Sequence, residues 1–146
     1  MNRYSSVIMM GFVALVSSGG FSRPRDGSLC LEGHPSVRRE YRESWAVFVG
    51  KVKSSRETPE APLDWLDGTL YTVQVAQIFR GSPPKQIDLF SEHSTGRFEM
   101  DSAVAYLLFV NRMLGRTVVD NCGNSRLLSE ADAVLDTIRH FQHTGR

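Results

Sequence analysis

The chain predicts a mainly β domain: a small barrel of five strands followed by one C-terminal helix. Three observations predict it. Short apolar runs, each bounded by glycine, proline or polar clusters, recur from Trp45 to Asp120. Within them the apolar residues either alternate or run without a break, as strands with one or two buried faces require. From Ser129 onward the period changes to that of an amphipathic helix.

The first strand is read in WAVFVGKV, starting at Trp45, with Gly50 interrupting it as a bulge or sharp bend. Residues 54–68 hold two prolines, several acids and a glycine without a period, and are expected to form a long loop. Residues 69–80 alternate cleanly, with Tyr71, Val73 and Val75 on one face and Thr72, Gln74 and Ala76 on the other. After the turn at 81–84 (GSPP), residues 86–91 form a short strand with Ile87 and Leu89 inward. AVAYLLFV at 103–110 is the most hydrophobic stretch after the N-terminal run and is expected to be a central strand buried on both faces. A turn at 111–115 leads to a fifth strand, RTVVD. Ala131, Val134, Leu135, Ile138 and Phe141 then fall at helical spacing, with Ser129 placed to cap. Ahead of the strands, Ser36 is positioned to cap one or two helical turns. A Greek-key barrel of the OB type suits these elements, because closure removes exposed strand edges. A flat five-stranded sheet with the helix on one face is the alternative.

Residues 1–20 read as a signal peptide. Arg3 gives a basic start, residues 7–16 are apolar, and Ser17-Ser18-Gly19-Gly20 supplies small residues for cleavage before Phe21. The apolar run is too short to span a bilayer, which takes about 20 residues. An uncleaved interfacial anchor is the other reading. Residues 21–146 then form a single domain, secreted or periplasmic and expected to be monomeric. Removing Arg3 leaves 16 basic against 16 acidic residues. Such neutrality gives neither the electrostatic term for nucleic acid nor a polybasic cluster for an anionic membrane, so neither partner is expected. Cys30 and Cys122 are the two cysteines, and an exported chain with an even count most simply bridges them.

Recognisable catalytic or metal chemistry is sparse. His34, His93, His140 and His143 are the histidines. His34 reads as a structural part of the His34-Pro35 arm, His93 as a polar-loop residue that could join a surface site but has no second residue in support, and His140 and His143 as solvated residues near a helix end. Ser94, Ser125 and Ser129 lack a nucleophile-elbow setting, and there is no phosphate-binding glycine loop. Asp64 and Asp67 flank Trp65-Leu66, where calcium is weighed against a solvated loop tip. Trp65, an aromatic on a long loop, is a candidate partner anchor, as are His34 and Pro35. No cofactor and no enzymatic activity are expected.

In order, the pieces Cys30…His34-Pro35, AVFVGKV, YTVQVAQIFRG, AYLLFV and DNCGNSRLL leading into a helix resemble the netrin-like domains, which include the tissue inhibitors of metalloproteinases. The resemblance covers residues 28–141. It implies an OB-fold barrel with the N-terminal segment pinned to it by disulfides, and it sets Cys30 opposite Cys122. It also implies a protein partner, a protease among the candidates. The inhibitors of this family begin with Cys-x-Cys, whose first amine and carbonyl chelate the protease's zinc. Here that triplet reads Ser28-Leu29-Cys30, and its partner position near Ser94-Thr95-Gly96 also lacks cysteine. The expectation is therefore a non-enzymatic secreted binding module. A protease inhibitor docking through residues 21–35 and 54–68 without chelation is the second reading, and an envelope structural protein the third.

Overall fold

A computed structural model describes residues 30, 33–58, 67–93 and 97–144. The expected lead-in at 21–29, the signal segment, Ser28, Asp64, Trp65 and Ser94 to Gly96 lie outside these residues. The element order is α1 (Val37–Glu43), β1 (Ala46–Thr58), β2 (Gly68–Arg80), β3 (Gln86–Glu92), β4 (Ala105–Met113), β5 (Arg116–Val119), β6 (Arg126–Leu127) and α2 (Asp132–Thr144).

The strands close into a ring. β1 pairs with both β2 and β4, and the sheet runs β1-β2-β3-β5-β4 before returning to β1. All junctions are antiparallel except β3–β5, which meet in parallel at Phe90 and Val118. β6 pairs with Tyr106 and Leu107 of β4, on the edge opposite β1 and beyond the stretch that pairs with β5. A five-stranded barrel with a C-terminal helix is therefore the architecture.

Two cores explain the two kinds of apolar pattern. The barrel interior holds Ala46, Phe48, Val52, Tyr71, Val73, Leu89, Tyr106, Leu108 and Val110. On the other face of β1 and β4, Val47, Val49, Leu107 and Phe109 pack with Phe79 against Val134, Leu135 and Ile138 of α2. β1 and β4 are thus buried on both sides, which is why AVFV and YLLFV show no alternation. β2 and β3 have one face in the barrel and alternate. At Gly50 the β1–β2 register shifts, and a Cβ there would lie 2.5 Å from Val73 Cγ1. The bend in β1 depends on that missing side chain.

α1 starts where expected. Ser36 accepts a hydrogen bond from the Arg39 N–H, and Ser44 N–H closes the helix on the Glu40 carbonyl. Arg80 donates to the carbonyls of Ser44 and Arg42, fixing the helix end to β2. A cation at a helix C-terminus is favourably placed.

Three boundaries and one buried connection differ from the sequence reading. Residues 54–58, expected in a loop, continue β1 and pair with 68–72. They carry no apolar period because this part of the ribbon is largely exposed, so the ladder rather than burial holds it. β4 runs on through Met113, which cuts the expected turn at 111–115 to Leu114-Gly115. Ser129 does not cap α2: it lies in a 3-10 turn, Leu128–Glu130, that carries Ala131 into the second core before α2 begins at Asp132. Finally, Phe98 and Met100 of the β3–β4 connection are buried in the barrel, although no strand period marks them.

Candidate functional site

The strand directions gather three connections at one end of the barrel: the β1–β2 turn, the β3–β4 connection and the segment after β5. The N-terminal arm joins them there. Cys30 and Cys122 form a disulfide with Cα atoms 5.6 Å apart, 92 residues apart in sequence. Among the described residues no cysteine is free. His34 Nδ1 lies 2.9 Å from the Cys122 carbonyl. A carbonyl can only accept, so Nδ1–H is the donor. The Pro35 carbonyl accepts from Asn124 Nδ2 at 3.0 Å. His34 is exposed and Pro35 half-buried, so the arm is held through the His34 imidazole and the Pro35 carbonyl while the rest of the imidazole ring remains at the surface.

Glu40 is the residue that sequence reasoning missed. Its carboxylate is buried and accepts from the Asn124 backbone N–H at 2.7 Å and from Asn124 Nδ2. The segment after β5 thereby hangs on α1 as well as on Cys30. Burial pushes the Glu40 carboxyl above its ordinary value of 4.5; the bonds from Asn124 oppose this, the Asp120 charge adds to it and Arg126 lowers it. A Cβ at Gly123 would collide with Glu40 Oε1, so only glycine lets the segment approach this closely. The available signal was a lone acid on the inward side of a short helix, paired at a distance with the Gly123-Asn124 that follows a cysteine.

His93 stands between two carboxylates. Nε2 is 2.9 Å from Glu57 Oε2 and Nδ1 is 3.3 Å from Asp67 Oδ2. Thr69 Oγ1 lies 3.0 Å from Nε2 and donates to Glu57. These groups clamp the base of the β1–β2 turn, where Glu57 leaves β1 and Asp67 enters β2, onto the end of β3. The clamp was not legible because its four residues come from three separate stretches.

Between the β3–β4 connection and the segment after β5 there is a hollow of about 220 Å³ lined by Arg97, Phe98, Glu99 and Asn121. It puts the connection against the residue next to Cys122. Of the remaining candidates, Ser125 is buried and accepts from the Phe109 N–H, standing in for a missing strand partner beside β4. His140 and His143 are exposed near the end of α2. Among the described residues, no three histidine, cysteine or acidic side chains are grouped to hold a metal ion. No helix among them is long and apolar enough to cross a membrane.

Comparison with protein-family models finds no match, and comparison with curated proteins finds none either.

Proposed function

We propose that this chain is an exported, non-enzymatic protein-binding module of the netrin-like kind, built on an OB-type barrel. Its partner surface is the barrel end that carries the bridged arm. The observation that carries this reading is the disulfide-tied arm: Cys30, His34 and Pro35 are fixed to the segment after β5, beside the β3–β4 connection. Three loops and a fixed arm on a rigid barrel are an arrangement suited to recognition rather than to acid–base chemistry. The strand order, with its one parallel junction between β3 and β5, supports the OB-type assignment. The bridge fits an oxidising compartment, outside the cytoplasm.

A second reading is a protease inhibitor that wedges the same end into a cleft without chelating zinc. It is favoured by the strand directions, which put the arm and the ends of β1 and β2 at Thr58 and Gly68 at the same end of the barrel. With residues ahead of Ser28, its nitrogen stays in a peptide bond and lacks the free amine that chelation needs.

Affinity capture from the extracytoplasmic fraction tests the main reading. A protein retained by the wild-type chain is expected to be lost with His34→Ala combined with Pro35→Ala, while the circular dichroism spectrum stays unchanged. Equal retention by that variant would reject the arm as the binding surface. Inhibition of a secreted protease at micromolar concentration would select the second reading, with metalloproteinases expected to be unaffected.

A further inference from the structure

The β4–β5 hairpin projects from the other end of the barrel, and its tip breaks two rules at once. Met113 is 58% exposed and Leu114 is 75% exposed, in a domain that buries most of its large apolar side chains. Leu114 also adopts φ +50°, followed by Gly115 at φ +81°. Two consecutive left-handed residues make the tight hairpin turn whose first position favours asparagine, aspartate or glycine. Leucine is strained there, because its Cβ crowds the following carbonyl. It gains nothing from the barrel in return, since its side chain points to solvent.

Beside the tip, Arg112 holds its guanidinium 4.0 Å above the ring of Trp45, and Trp45 is half-buried against the barrel core. An apolar tip above an arginine–tryptophan pair is layered as a bilayer interface is layered: hydrocarbon contact outermost, then a cation and an amphipathic ring at headgroup depth.

We propose that Met113 and Leu114 form a lipid-contacting tip that dips into an anionic membrane surface. A lipid surface suits it better than a protein socket for reasons of area and charge. A stable protein interface takes roughly 800 Å² from each partner, far more than two side chains on a convex turn present. A bilayer interface needs no complementary shape and accepts single apolar side chains, with arginine adding attraction to anionic headgroups. The near-neutral chain has no polybasic cluster, so the contact is weak and reversible. Docked this way, the barrel turns the end carrying the Cys30–Cys122 arm away from the lipid.

Vesicle co-sedimentation of the protein recovered after export tests the proposal, with phosphatidylcholine vesicles containing or lacking phosphatidylglycerol. The readout is the difference between chains that share everything but the tip. Leu114→Asn relieves the strained position, so it is expected to keep or raise the melting temperature while lowering partition about tenfold, the scale of one large apolar side chain. Met113→Thr, at an exposed strand position, is expected to lower partition similarly without touching the turn. Arg112→Gln is expected to weaken binding to the anionic vesicles by about fivefold and to leave the neutral ones unchanged. Equal sedimentation of wild type, Leu114→Asn and Met113→Thr would overturn the proposal, as would equal wild-type binding to both vesicle types. A lower melting temperature for Leu114→Asn would show that the leucine serves the fold. Tip-dependent cross-linking to a protein, without vesicle binding, would overturn the lipid assignment.

Discussion

At the scale of single residues, Glu40 carries the most consequence for its surroundings. Its folded-state value is raised by burial, above the 4.5 it returns to on unfolding. A raised carboxyl binds its proton more tightly in the folded state. Its contribution to stability is therefore fully present below 4.5 and is lost as pH rises through the raised value. Glu40→Gln removes that dependence while keeping an oxygen for Asn124. The stability of Glu40→Gln relative to wild type is expected to climb with pH over that window and then level off, as read by urea unfolding at a series of pH values. A relative stability that falls with rising pH would contradict the burial argument. The same geometry makes Gly123→Ala destabilising by about 1–3 kcal/mol, since either Glu40 or the segment after β5 must move. His34-Pro35 was legible as an arm, because a proline so close to a cysteine forces extended backbone. Its two anchors were not, since Asn124 and the Cys122 carbonyl are about 90 residues away in sequence.

At the scale of elements, α2 was legible from its period, and its partners were not. Val134, Leu135 and Ile138 bury against the outer faces of β1 and β4. Nothing in the helix itself names which strands it covers. The clue lay instead in the strands, whose unbroken apolar runs demanded a second cover. Ile138 is fully buried, so Ile138→Ala is expected to cost about 2–5 kcal/mol in chemical denaturation. Loss of under 1 kcal/mol would mean that α2 is peripheral to the domain. Exposed elements behaved differently: residues 54–58 became strand through the backbone ladder and a few polar side-chain contacts, forces that leave little mark on composition. The His93 clamp belongs with them, because polar contacts between distant segments have no period to read.

For the molecule as a whole, the closed barrel and the bridged arm are separable in origin but joined in energy. Five strands and a helix follow from patterning, and closure follows from β1 pairing on both edges. The arm is held by one covalent tie and a few hydrogen bonds. Cross-linking residues 92 apart stabilises by roughly 4–5 kcal/mol in the chain-entropy model. That is a large share of the about 5–15 kcal/mol typical of such domains. Replacing both cysteines by serine is accordingly expected to lower the melting temperature by roughly 10–20 °C. Everything proposed for the arm depends on its being locked to the segment after β5 by the Cys30–Cys122 bridge. Non-reducing peptide mapping of the oxidised protein is the decisive measurement. One cross-linked peptide pair joining Cys30 to Cys122 is expected, on a chain beginning near Phe21. Free thiols at both positions in oxidised protein would contradict it.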